Sequence, residues 1–214
     1  MEALASASGR SVDELAAEAL NALAGSFKSR RAILQARRAS APGPAAPNLL
    51  ADLGWLEGYS GQTVDELLLF DSTETPHNVL FALELAIQKK LETEGRLKMT
   101  GVERMLLSVS ALAREVNNGG FDQFFRNSSR QFAPAIVNDL VRIGCIEIAD
   151  IAQRALDALR LPSVTVAAIE AAMREDSQER DRALERCDLA FYAKSGLTGA
   201  LFAYVKAHPD GIRI

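Results

Sequence analysis

Val102, Met105, Leu106, Val109, Leu112, Ala113 and Val116 fall three and four positions apart, and the run then breaks into Asn117-Asn-Gly-Gly120. A stripe at that spacing covers one face of an α-helix and has to be buried. The break is made of residues that end helices, because Asn and Gly accept the left-handed backbone that stops a helical run. Phe121, Phe124 and Phe125 follow at i, i+3 and i+4, so a helix resuming there buries three rings on one face. The spacing predicts a helix over 101–117, a tight helix–turn–helix corner, and a second helix over 120–127.

The rest of the chain reads the same way. Ser11-Val-Asp-Glu14, Thr63-Val-Asp-Glu66 and Thr100-Gly-Val-Glu103 fit the capping box, in which a hydroxyl and a glutamate three residues on exchange bonds with each other's amides. Further helices are expected over 2–8, 12–24, 27–38, 49–56, 64–70, 77–94, 132–143, 146–159, 163–174, 178–194 and 197–207. Short alternating runs that would mark strands are missing. The expected fold class is all-α. Ala39–Pro47 carries three prolines and a glycine, which makes it a stiff linker. That divides the chain into a helical appendage over 1–38, the linker over 39–47 and a multi-helix globular domain over 48–214.

Charge is spread unevenly. Residues 1–47 hold six Lys/Arg and four Asp/Glu, a net of +2, whereas 48–214 hold eighteen and twenty-four, a net of −6. Lys28, Arg30, Arg31, Arg37 and Arg38 form a basic run. No Lys or Arg then occurs until Lys89, while Asp52, Glu57, Asp65, Glu66, Asp71, Glu74 and Glu84 all lie in that interval. Segregation of this kind bears on partners rather than on fold. One reading makes the acidic residues a face for a basic partner, and the other makes them a solvated surface.

From about Trp55 onward the chain resembles a bacterial family of uncharacterised role whose best-known member is a DNA mimic. The resemblance rests on Thr63-Val-Asp-Glu-Leu-Leu68, on Thr100-Gly-Val-Glu-Arg104, and on the signature Val116-Asn-Asn-Gly-Gly-Phe-Asp-Gln-Phe-Phe125 with Arg126-Asn-Ser-Ser129 behind it. Leu140-Val-Arg-Ile-Gly144, Cys187-Asp-Leu-Ala-Phe-Tyr192 and Leu201-Phe-Ala-Tyr204 follow. It implies an all-helical, non-enzymatic interaction module whose carboxylates stand in for duplex phosphates. The partner would be a basic protein such as a DNA-binding protein or transcription factor, and a homodimer is an open assembly state. Duplex DNA carries one negative charge per ~1.7 Å of axis, so such a mimic needs dense, one-sided acid. Within this chain only the Lys/Arg-free interval is one-sided, which makes its seven acids the candidate partner face.

Residues 7–20 resemble the two helices of ribbon-helix-helix repressors and antitoxins. This supports an alternative, a transcriptional regulator whose amino-terminal segment dimerises or binds nucleic acid through Lys28–Arg38. The base-reading strand of those proteins has no counterpart in the sequence given.

Reactive chemistry is sparse. His77 and His208 are far apart and no Cys/His cluster has metal-ligand spacing, so neither metal nor cofactor is expected. Cys145 and Cys187 lie in helical patterns and read as reduced, structural thiols. Glu115 and Asp122, which flank the signature, are the one acid pair placed for acid–base work, and no enzyme activity is expected of them. Asn117, Asn118, Gln123 and Asn127 have two readings. They either satisfy backbone groups at a broken helix or form a binding constellation for a small polar ligand, and with Gly119 and Gly120 they belong to the signature. No run is long and apolar enough to span a bilayer, and the start lacks a signal-peptide pattern, so the expected location is cytoplasmic.

Overall fold

The computed structural model describes residues 58–72, 74–95 and 98–214. The appendage, the linker, the Ser11–Glu14 box, the Lys28–Arg38 run, the helix expected over 49–56, and Asp52 and Glu57 lie outside the described residues.

Eight α-helices follow one another: α1 Val64–Leu68, α2 Pro76–Glu94, α3 Gly101–Arg126, α4 Ala133–Arg142, α5 Ile146–Asp157, α6 Val166–Arg174, α7 Gln178–Tyr192 and α8 Leu197–Ala207. Short 3-10 turns occupy Leu69–Ser72, Ser128–Phe132 and Pro209–Gly211, and there is no strand among the described residues. The all-α expectation holds, and α8 has its predicted bounds.

Helix starts are written locally. Thr63 accepts from the Glu66 amide at 3.3 Å while its own amide donates to the Glu66 carboxylate at 2.8 Å. Thr100 and Glu103 make the same exchange at 3.1 and 2.9 Å. Thr75, Thr165 and Ser177 cap α2, α6 and α7 through their hydroxyl oxygens. Each such bond satisfies an amide that the first helical turn leaves open.

Helix α3 is the axis of the unit formed by residues 58–214, and α2, α4, α6, α7 and α8 all pack on it. Met105, Leu106, Val109, Leu112 and Val116 are wholly buried. Burying side chains of this size contributes about 1.5–3 kcal/mol each, which decides the face that α3 turns inward. Phe121, Phe124 and Phe125 are buried with them. Phe121 stands 6.1 Å from Phe125 and, edge-on, 5.9 Å from Phe191 of α7.

A buried charge organises the amino end of α3. Glu103 is completely buried, and its carboxylate accepts from Lys90 Nζ at 2.7 and 2.9 Å. It also accepts from the Thr100 amide and, at 2.7 Å, from the Arg213 amide. The Thr100 hydroxyl donates to the Gly211 carbonyl. These donors take the place of the water that the buried carboxylate has lost. The same set of bonds ties α2, α3 and the carboxy-terminal segment together.

Candidate functional site

The signature breaks the helix where the sequence predicts it. Helix α3 spans Gly101–Arg126 but is two helical segments, divided where Gly119 (φ −157°, ψ 24°) and Gly120 (φ 76°, ψ −177°) leave helical geometry. The corner is a two-residue kink, with the second helical segment starting directly after Gly120. The physical reason lies on α7. The Phe121 amide donates to Asp188 Oδ1 at 2.7 Å, and the Tyr192 hydroxyl donates to the Val116 carbonyl at 2.8 Å. Asp188 and Tyr192 are four residues apart on α7, so they share a face. From there they supply partners to backbone groups on both sides of the bend. With those groups satisfied, the chain continues as helix at once.

The glycines have separate reasons. Gly120 sits at positive φ, and a Cβ there would run into the Asp188 carboxylate. At Gly119 a Cβ would run into the Gln123 amide, which is itself held in place. Glu115 holds it: its carboxylate accepts from Gln123 Nε2 at 2.7 Å, Asn127 Nδ2 at 2.8 Å and Ser129 Oγ at 2.6 Å. The signature amides Gln123 and Asn127 therefore bind a carboxylate across the kink, not open backbone groups. Asn117 does bond backbone, giving Nδ2 to the Ala113 carbonyl at 2.7 Å. Asn118 is exposed and makes no side-chain hydrogen bond among the described residues.

The two carboxylates at the kink are tuned in opposite directions. Burial raises the Glu115 pKa, but the Ser129, Gln123 and Asn127 hydrogen bonds and the Arg114 charge outweigh it, and the group ends below the usual carboxylate value. Burial also raises Asp188, and Asp122 and Glu185 push it further up against the one Phe121 amide, so it ends above that value. Asp122 itself pairs with Arg126 at 2.8 Å. Glu115 and Asp122 thus have separate structural partners.

The expected acidic face is only partly assembled. Asp65 is exposed, and Glu66 is engaged in the α1 capping box. Asp71 pairs with Lys206 at 2.8 Å, and Glu74 accepts from Asn78 Nδ2 at 2.6 Å. Glu84 is buried and ion-paired to Arg114 at 3.1 Å, which takes it off any surface that a partner meets. Several of these acids therefore serve the fold. Sequence reasoning passed over Asp188 and Tyr192, whose only signal was their place in the Cys187–Tyr192 segment.

Other reactive groups are quiet. Cys145 and Cys187 are free thiols, and burial pushes both pKa values up, against thiolate formation. Among the described residues no cluster of His, Cys, Asp or Glu is placed to hold a metal ion, and no helix is long and apolar enough to cross a membrane.

With this geometry in place, comparison with known proteins is informative. Residues 97–208, just over half of the chain, match the family model described as DMP19-like protein. The chain belongs to that family. The matched stretch opens just before α3 and closes at the end of α8, so it contains the kink, the Glu115 cluster and the α7 contacts. No curated protein and no solved structure matches the chain.

Proposed function

We propose that this DMP19-like chain is a non-enzymatic protein-interaction module of the DNA-mimic kind, whose partner is a basic, DNA-binding protein. Family membership carries the reading, since the family is one of DNA mimics. The disposition of charge supports it. Lys90, Arg104, Arg114, Arg126 and Lys206 are spent in ion pairs within the unit. Asp65, Asp150 and Glu185 are exposed and have no cation within salt-bridge reach among the described residues. Arg142, Arg182 and Arg186 are likewise exposed and outside any ion pair among the described residues, but acids outnumber Lys and Arg by twenty-four to eighteen over residues 48–214, and a basic surface is the complement of that net charge. The carboxylates at the kink bond to groups of the fold, and burial disfavours the thiolates of Cys145 and Cys187, in keeping with a non-enzymatic reading. The acidic residues before Lys89 remain part of the proposed partner face through Asp65 and its neighbours, without Glu84.

The test is capture from bacterial lysate on the immobilised full chain, at low and at high salt. A basic DNA-binding protein retained at low salt and released at high salt, and displaced by duplex DNA, is the expected result, because contacts between exposed charges are screened. Retention that ignores salt, or a captured protein that DNA does not displace, rejects the reading.

A further inference from the structure

The kink has a chemical consequence as well as a shape. Asn118 is followed by Gly119, the one Asn-Gly pair in the chain. Asn118 is exposed, and its side chain makes no hydrogen bond among the described residues. It is the last residue of the first helical segment, because Gly119 is where the backbone leaves helical geometry. A side chain at 119 would shield the peptide bond that follows Asn118, but a Cβ there would run into the Gln123 amide. The kink therefore requires a glycine at the position that leaves this peptide bond most open. The other described asparagines are placed differently. Asn117 gives its amide to the Ala113 carbonyl at 2.7 Å, Asn78 to Glu74 at 2.6 Å and Asn127 to Glu115 at 2.8 Å. Asn138 lies inside α4, with Asp139 rather than a glycine after it.

We propose that Asn118 is a site of spontaneous modification in the folded protein, where its side-chain amide is converted to a carboxylate. The Gly119 backbone nitrogen gives its proton to hydroxide and attacks Asn118 Cγ. The Cγ–Nδ2 bond breaks, the departing nitrogen takes a proton from water, and ammonia leaves a five-membered succinimide behind. Water then adds to one of the two ring carbonyls. One opening gives aspartate and the other gives isoaspartate, whose backbone is longer by one methylene. Ring closure needs rotation about the Asn118 Cα–C bond away from its helical value. Deep inside a helix the residues that follow resist that rotation. Here Gly119 and Gly120 follow, and glycine accepts a wide range of backbone angles. Each conversion adds one negative charge to a segment that already carries Glu115 and Asp122.

The experiment incubates the full chain at neutral and at mildly alkaline pH and maps its peptides by mass spectrometry over time. Acid at position 118 should accumulate before acid at Asn78, Asn117, Asn127 or Asn138. It should form faster at the higher pH, since the attacking amide must lose its proton. Both aspartyl and isoaspartyl peptides are expected, because the ring opens at either carbonyl. Asn118→Gln keeps an exposed amide but would have to close a six-membered ring, so conversion at that position should be lost. The same time course in urea supplies the reference rate. If Asn118 reacted only through global unfolding, the folded chain would lag by the unfolding equilibrium constant, roughly 10³ or more. Reaction through local opening at the kink should keep the lag within about a hundredfold. A larger lag overturns the proposal. So does earlier conversion at another of the described asparagines, a rate that ignores pH, an aspartyl product without its isoaspartyl twin, or undiminished conversion in Asn118→Gln.

Discussion

The two ends of α3 each depend on carboxylates, and they handle them in opposite ways. At the amino end Glu103 is fully enclosed, and a lysine and two backbone amides converge on it. At the kink, Asp188 stands half-buried with one amide bond and two like charges for neighbours. The first arrangement leaves nothing for a partner to bind. The second retains unspent charge near the surface. In this protein, acidic residues that build the unit and acidic residues left without ion-pair partners are told apart by how many donors have closed on them, not by composition.

Changes at four positions would break or sharpen that contrast. The largest effect is expected from Lys90→Met, which strands the buried Glu103 charge and should cost about 3–5 kcal/mol in urea unfolding. Gly120→Ala comes next. It places a Cβ at positive φ against Asp188, and should cost about 1–3 kcal/mol while leaving the amino end of α3 protected in hydrogen exchange. At Asp188 the alanine and asparagine variants should diverge. Alanine leaves the Phe121 amide unpaired, at about 1–3 kcal/mol. Asparagine keeps an acceptor and removes the repulsion from Asp122 and Glu185, so its stability at neutral pH should equal or exceed that of the unmodified chain. Thermal melts of the two variants decide the point.

The smallest effect is the pH response of Glu115. Its folded pKa lies below the ordinary carboxylate value, so it contributes stability above that value and loses it as pH falls through the folded pKa. Asp188 has the opposite sign: its folded pKa is raised, so its ionisation weakens the fold as pH rises through that pKa. Glu115→Gln should therefore flatten the acid limb of a stability-against-pH curve, and Asp188→Asn should remove a decline at higher pH. Chemical denaturation repeated across the acid range checks both.

Much of the helical frame was legible in the chain. The Val102–Val116 stripe, the Thr63 and Thr100 boxes and the burial of Phe121, Phe124 and Phe125 all follow from periodicity and capping, which act over a few residues. The kink was legible as a break between two helices, but the groups that meet it were not. Whether a helix stops at Gly-Gly depends on what meets its opened backbone groups, and here Asp188 and Tyr192 arrive from another helix, far along the chain. The same limit hid the pairing of Glu84 with Arg114 and of Glu103 with Lys90. Acids that look alike in a charge count part company once distant cations reach some of them. The 3-10 turn at Ser128–Phe132 was also missed, since its sequence carries no period and its Ser129 is placed by Glu115.

The carboxy-terminal segment adds a consequence for biosynthesis. The Arg213 amide and the Gly211 carbonyl complete the bonding of Glu103 and Thr100, whose own part of the chain leaves the ribosome more than a hundred residues earlier. During translation Lys90 and Glu103 can pair, but one acceptor site on the carboxylate waits until residue 213 has emerged. Helix α3 is thus among the first elements of the unit to be made and the last to be sealed. A nascent chain halted before that point would still have the start of its central helix open to water and to chaperones.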